Sequence, residues 1–158
     1  MLFILEKEII KMSCASGIYT VYSGSTAVPT GGYLPAGTTV RRYGKNLAQA
    51  GDGILLDGAG YYLINANVVV TGTGSTAGTG ATAGTGATAG TVTLTLTEDG
   101  TPIQGGLSSV TIAPDSIDTI TVHAIVRKKC CDTPTTIQIK NTGVNVTINQ
   151  VSSTVIKV

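Results

Sequence analysis

The segment GYYLINANVVV, Gly60 to Val70, alternates with a period of two. Tyr62, Ile64, Ala66, Val68 and Val70 form one row, and Tyr61, Leu63, Asn65 and Asn67 form the other. That period is the repeat of a pleated strand, whereas apolar residues on a helix face recur at three and four. The second row is semi-polar rather than charged. Such a strand has the core on one side and suits a neighbouring subunit on the other.

The same logic recurs along the chain. In TVTLTLTEDGTPI, Val92, Leu94 and Leu96 face in and Thr91, Thr93, Thr95 and Thr97 face out, and Asp99-Gly100 forms a hairpin turn. In DTITVHAIVRKK, Ile120, Val122, Ala124 and Val126 share one face, with Thr121, His123, Ile125 and Arg127 on the other. VYSGSTAVPTGGYLPAGTTVRRYG carries Gly and Pro every few residues, and TTIQIKNTGVNVTINQVSSTVIKV reads as strands to the chain end. Short strands separated by turn signals specify an all-β sandwich or jelly roll.

Charge and composition limit the partners. Charged residues are 12% of the chain, against roughly 25% in an average domain. An oligomer that hides low-charge surface, or a surface made soluble by Thr hydroxyls, fits this balance. A net charge of +1 gives no electrostatic footprint for nucleic acid or an anionic membrane. The opening MLFILEKEIIK lacks the basic start and longer apolar stretch of a signal peptide, and the about 20 apolar residues of a membrane span. Leu2, Leu5, Ile9 and Met12 recur at helical spacing, so residues 1–12 read as an extension or anchor peptide, or as an upstream start before a domain spanning 13–158.

Between two strand-like segments, residues 74–91 repeat a six-residue unit, ATAGTG, with almost no variation. Composition does not change across it, so it reads as an insertion in a hairpin connection rather than a domain boundary. Gly falls on even positions and Ala on odd ones, never at every third residue, which excludes collagen. Gly and Ala bury too little to offset ordering entropy, so a weakly ordered protrusion is expected ahead of a flat silk-like ribbon. The repeat should be dispensable for folding, either as an arm or as a tolerated expansion.

No catalytic, cofactor or metal constellation emerges. GTGSTA (Gly72, Gly74, Ala77) matches a dinucleotide-binding pattern, but no helix can follow in a Gly-Thr repeat. His123 is the sole histidine and reads as a surface or interface residue. Cys130 and Cys131 would point to opposite faces of a strand, which argues against joint metal coordination. With Cys14 the thiols number three, expected to be reduced, with a Cys14 link to one of the pair as the alternative. Asp115 and Asp118 read as a solvated turn ahead of a calcium site. Arg41-Arg42 and Arg127-Lys128-Lys129 read as solvated strand ends or intersubunit ion pairs, and Asn145-Val146-Thr147 is a glycosylation sequon that matters only on secretion.

GAGYYLINANVVV, then VTLTLTEDGTPI, then the closing TVIKV resemble the tumour-necrosis-factor-like and complement-globular-head jelly rolls. Those folds carry a Gly-Tyr-Tyr strand, a strand ending in an acidic or Asn-Gly turn, and a short apolar C-terminal strand. MSCAS, VRRYGKNL, GAGYY and VRKKCCD, in that order, are similar to small Thr/Gly-rich proteins encoded among the structural genes of phages and prophages of gut bacteria. The hexapeptide repeat and residues 1–11 are additions to that pattern and inherit no role from it. The resemblance covers about residues 13–158 and implies a homotrimeric jelly roll on a virion: a head fibre, decoration or spike head, made in the bacterial cytoplasm, without enzymatic activity. In the resembled fold the inner sheet faces the threefold axis, which makes Tyr61, Leu63, Asn65, His123 and Ile125 the expected trimer interface. Capsid proteins and a host-surface glycan are the expected partners, with no nucleic acid and no membrane insertion. The alternative is a head domain of the same fold on a bacterial cell or spore coat.

Overall fold

The computed structural model describes residues 15–73, 75–76 and 87–158. The expectations for residues 1–12, for Cys14 and for most of the repeat fall outside these residues. In chain order the strands are β1 (Ser16–Val28), β2 (Thr38–Tyr43), β3 (Leu47–Ala50), β4 (Gly53–Leu56), β5 (Gly60–Gly72) and β6 (Ser75–Thr76). They continue as β7 (Ala87–Thr88), β8 (Gly90–Glu98), β9 (Thr101–Ile112), β10 (Ile117–Lys128), β11 (Thr135–Asn141) and β12 (Val146–Lys157). All pairings are antiparallel. One five-stranded sheet has the order β10-β5-β12-β1-β2 and the other β3-β4-β11-β8-β9. Together they form the expected jelly-roll sandwich.

The alternating rows build the space between the sheets. Tyr62, Ile64, Ala66, Val68 and Val70 of β5 are buried, as are Ile120, Val122, Ala124 and Val126 of β10. Opposite them lie Val92, Leu94 and Leu96 of β8 with Ile137 and Ile139 of β11. Full burial of a Val or Leu side chain is worth about 1.5–3 kcal/mol, so parity alone supplies most of the driving force. Tyr62, the largest fully buried side chain among the described residues, has a polar end. Its hydroxyl lies 2.8 Å from the carbonyl oxygens of both Asp57 and Gly58. Burial, and secondarily the Asp57 carboxylate, holds the phenol's ionisation above its ordinary value.

Asp99 and Gly100 form the expected turn between β8 and β9, with φ of 48° and 84°. Positive φ at both central positions is what a type I′ hairpin requires. Thr95 and Thr97 keep the outward parity of β8, yet both are buried rather than open to solvent. Each sits on a central strand between longer cross-strand neighbours, Lys140 and Leu107 for Thr95, Gln138 and Pro102 for Thr97. Their hydroxyls are satisfied there, by Thr142 Oγ1 at 3.0 Å and the Gln138 carbonyl at 3.2 Å.

The insertion carries its own ladder, Ser75 opposite Thr88 and Thr76 opposite Ala87. The strands on either side of it do not pair as a hairpin. Strand β5 is flanked on both edges by β10 and β12, while β8 lies in the other sheet, so the connection crosses between layers. Gly90 and Thr91 belong to β8, opposite Ile112 and Thr111. The removable part is therefore residues 77–86. Replacing them with Asn-Gly closes the Thr76–Ala87 pair with a two-residue turn and should leave denaturant-measured stability unchanged or up to about 1 kcal/mol higher.

Thr20 is fully buried opposite Ser153, and its Oγ1 has no hydrogen-bond partner. A buried hydroxyl left unpaired costs about 1–3 kcal/mol. Thr20→Val keeps the shape and removes the cost, so it should raise stability by about 1 kcal/mol in urea unfolding.

Candidate functional site

The outward face of the first sheet is ordered by its register. Ile125 on β10 pairs with Leu63 on β5, Leu63 with Ile156 on β12, Ile156 with Gly17 on β1, and Gly17 with Tyr43 on β2. Gly17 adds no side chain, but the Tyr43 ring lies over it, so close that a Cβ there would meet a ring carbon at 2.3 Å. The result is an apolar row running across all five strands. Its members remain open to solvent, with Ile125 64%, Tyr43 54%, Leu63 44% and Ile156 36% exposed.

One row toward the near end lie Arg127, Tyr61 and the chain-terminal Val158. The Arg127 guanidinium sits 5.8 Å from the Tyr61 ring centroid, and the Val158 N–H donates to the Tyr61 carbonyl at 2.9 Å. In the other direction the face becomes polar. His123, Asn65, Thr154, Tyr19 and Arg41 form the next row. Beyond it Thr121 Oγ1 donates to Asn67 Oδ1 at 2.7 Å. The five residues singled out in the sequence, Tyr61, Leu63, Asn65, His123 and Ile125, thus share one exposed face, with Leu63 beside Ile125 and Asn65 beside His123. Sequence reasoning missed Ile156, Tyr43 and Val158. A bulge hides the parity of Ile156, and Tyr43 belongs to a strand whose six residues are all exposed, so no alternation marks it.

The other motifs fall elsewhere. Gly72 makes a close approach: its N–H donates to Ser116 O at 2.9 Å, its carbonyl accepts from Asp115 N at 2.8 Å, and a Cβ would lie 2.3 Å from Ala113 O. Ser75 and Thr76, just beyond it, form a strand. Asp118 Oδ1 accepts from Thr119 N at 2.7 Å, and Asn145 Oδ1 from Thr30 N at 3.1 Å. No group of three or more potential metal ligands occurs among the described residues. Between the sheets, a cavity of about 20 Å³ under Leu34, Ile64, Leu96 and Val155 has room for no more than a water. No helix among the described residues is long and apolar enough to cross a membrane.

Two expectations change. The basic run is not uniformly solvated, because Lys128 keeps the inward parity of β10 and is 4% exposed. Its Nζ donates to the Thr133 carbonyl at 2.7 Å and lies 3.9 Å from Glu98 Oε1, which also accepts from Thr135 Oγ1 at 2.8 Å. Cys130 and Cys131 occupy a turn rather than a strand, and their Sγ atoms are 3.4 Å apart on the same side.

No family model and no curated protein sequence matches the chain. Solved structures do. Murine APRIL at pH 5.0 superposes with a TM-score of 0.58 at 14% identity, over 91% of this chain and 99% of that one. PRD1 vertex protein P5 gives 0.51 at 14% identity, over 90% and 96%. The globular domain of zebrafish complement 1qA gives 0.52 at 7% identity, over 87% and 94%. The fold is the jelly roll of tumour-necrosis-factor-like proteins and complement globular heads.

The three basic residues of the strand end should separate by stability. Lys128→Ala removes a buried stem and leaves the Thr133 carbonyl without its donor, and should cost about 2 kcal/mol. Arg127→Ala and Lys129→Ala should each stay within about 0.5 kcal/mol in the same chemical denaturation assay.

Proposed function

We propose that this chain is a non-enzymatic phage virion structural protein, a head fibre, decoration or spike head, assembled as a homotrimer through the outward face of its first sheet. The observation that carries the reading is the row Ile125, Leu63, Ile156 and Tyr43, apolar and exposed across the full width of a five-stranded sheet. A contiguous apolar patch rimmed by polar residues marks a protein contact. A second copy of the chain is the occupant that also removes the low-charge surface implied by 12% charged residues. A cyclic arrangement of three closes such a contact without leaving a sticky edge.

The virion assignment draws support from the likeness to the PRD1 vertex protein, a phage protein. Capsid proteins are the partners on the particle. The opposite sheet offers a neutral hydroxyl surface, with Thr91 Oγ1 3.2 Å from Thr111 Oγ1 and Thr93 Oγ1 2.9 Å from Ser109 Oγ. Weak contacts of that kind with a host-surface glycan gain from being presented in several copies. The second reading, a head domain on a bacterial cell or spore coat, rests on the same fold. Mass spectrometry of purified particles and of washed cell envelopes separates the two: peptides of this chain copurify with particles in the first and with envelopes in the second.

Multi-angle light scattering at micromolar concentration tests the trimer, and a stable monomer overturns it. Leu63→Asp and Ile125→Asp should each yield folded monomers, because an unpaired charge buried at each contact costs about 3–5 kcal/mol. Thr111→Asp, on the exposed face of the other sheet, should leave the trimer intact.

A further inference from the structure

The turn between β10 and β11 holds Cys130 and Cys131 in an arrangement that neighbouring residues rarely adopt. In extended backbone, adjacent side chains diverge to opposite faces. Here Cys131 has φ of 70°, in the left-handed region that non-glycine residues seldom visit. That backbone state brings the second thiol to the same side as the first, with Sγ 3.4 Å from Sγ and both residues exposed. The turn is braced around them. Lys129 N–H donates to Asp132 Oδ2 at 2.7 Å, Asp132 N–H donates to Lys129 O at 3.4 Å, and Lys128 Nζ donates to Thr133 O at 2.7 Å. Backbone held in sparsely populated conformations clusters at functional sites.

Neither a structural disulfide nor a closed metal site fits this geometry. Tetrahedral zinc takes four ligands, and among the described residues no third His, Cys, Asp or Glu joins the pair. Stable disulfides link Cα atoms about 4.4–6.8 Å apart, whereas neighbours across a trans peptide are about 3.8 Å apart. A bond between these two sulfurs is therefore strained, and strained, exposed disulfides are the easily reduced ones. We propose that Cys130 and Cys131 form a reversible two-electron redox site that exchanges with low-molecular-weight disulfides.

The exchange balances. One cysteine, as its thiolate, attacks a small disulfide RSSR, giving a mixed disulfide and releasing RS⁻, which takes up the proton lost. The second thiol then loses its proton and displaces the remaining RS⁻, closing the Cys130–Cys131 bond. In total the protein dithiol and RSSR become the protein disulfide and two RSH. The sulfurs need move only from 3.4 Å to about 2.05 Å, so closure outruns capture of a second RSSR.

The experiment uses the full chain carrying Cys14→Ser, so that no bond to that thiol is mistaken for the vicinal one. The reduced protein is titrated anaerobically with oxidised glutathione and read by intact-mass and peptide mass spectrometry. The expected product has lost two hydrogens, holds the bond within one peptide spanning Cys130 and Cys131, and returns to the dithiol with dithiothreitol. Stable double glutathionylation, or bonds only between chains, overturns the proposal. Phenylarsine oxide, which condenses with two thiols and releases water, gives an independent readout. It should bind one per chain, and about 100-fold or more weaker to Cys130→Ser or Cys131→Ser, since one-point attachment loses the chelate advantage. Equal affinity for the single and double thiol proteins overturns it, and circular dichroism checks that each variant is folded.

Discussion

One extra residue in β12 governs both faces of the first sheet. Against β5, Val146 and Ile148 pair with Gly72 and Val70, and after Ile148 the register shifts so that Gln150 meets Val69 and Val151 meets Val68. The inward positions pass from even to odd at Asn149. Val151 and Val155 are thereby buried, and Ile156 is turned outward beside Leu63. Without the bulge, a strict alternation would drive Gln150, Ser152 and Thr154 into the core and set Val151 and Val155 in water. Asn149 holds the bulge to the next strand through Nδ2, which donates to Thr71 Oγ1 at 2.6 Å. The core and the exposed apolar row are thus two readouts of one register.

Where the strand ladders end, loop carbonyls are tied to distant segments by short uncharged side chains. Asn141, fully buried, donates from Nδ2 to Val28 O at 3.2 Å, Pro29 O at 3.3 Å and Val144 O at 2.8 Å, while its Oδ1 accepts from Gly143 N at 3.0 Å. One amide therefore fixes the exit of β1 and the turn into β12. Gly143 has to be glycine there, since a Cβ would lie 2.4 Å from both Thr91 O and Thr93 N. At the opposite end Asn46 serves similarly, with Nδ2 donating to Asp57 O at 2.6 Å and Oδ1 accepting from Lys157 Nζ at 3.3 Å. Both loop ends are built on the same device: amides that tie carbonyls of distant segments.

What was legible in the sequence follows from period. Strands β5, β8 and β10 alternate without interruption over their apolar positions, so their buried rows and the exposed set Tyr61, Leu63, Asn65, His123 and Ile125 could be read residue by residue. The Asp99-Gly100 turn was legible because positive φ at two consecutive positions restricts residue type. Burial of Thr95 and Thr97 was not, because it depends on the length of cross-strand neighbours rather than on parity. The inward turn of Lys128 was written in its even position, but the usual cost of burying an ammonium overrode that signal until Glu98 of β8 and Thr133 of the following loop supplied partners. Cys130 and Cys131 were misjudged for the reason that a vicinal pair in a turn obeys φ, not pleat.

The same registers give the molecule a polarity. Ser16, where β1 begins, pairs with Lys157, Gly60 pairs with Lys128, and Val158 closes on Tyr61, so the start of β1, the carboxyl-terminal residue and the cysteine turn gather at the end that carries the apolar row. Strand β5 then runs the length of the sheet to Gly72, which packs against the turn at Ala113–Ser116, and β8 returns from Gly90, opposite Ile112. The repeat is therefore rooted at the far end, roughly the full rise of a 13-residue strand away. An insertion placed there is remote from the apolar row, from Ser16 and from Val158.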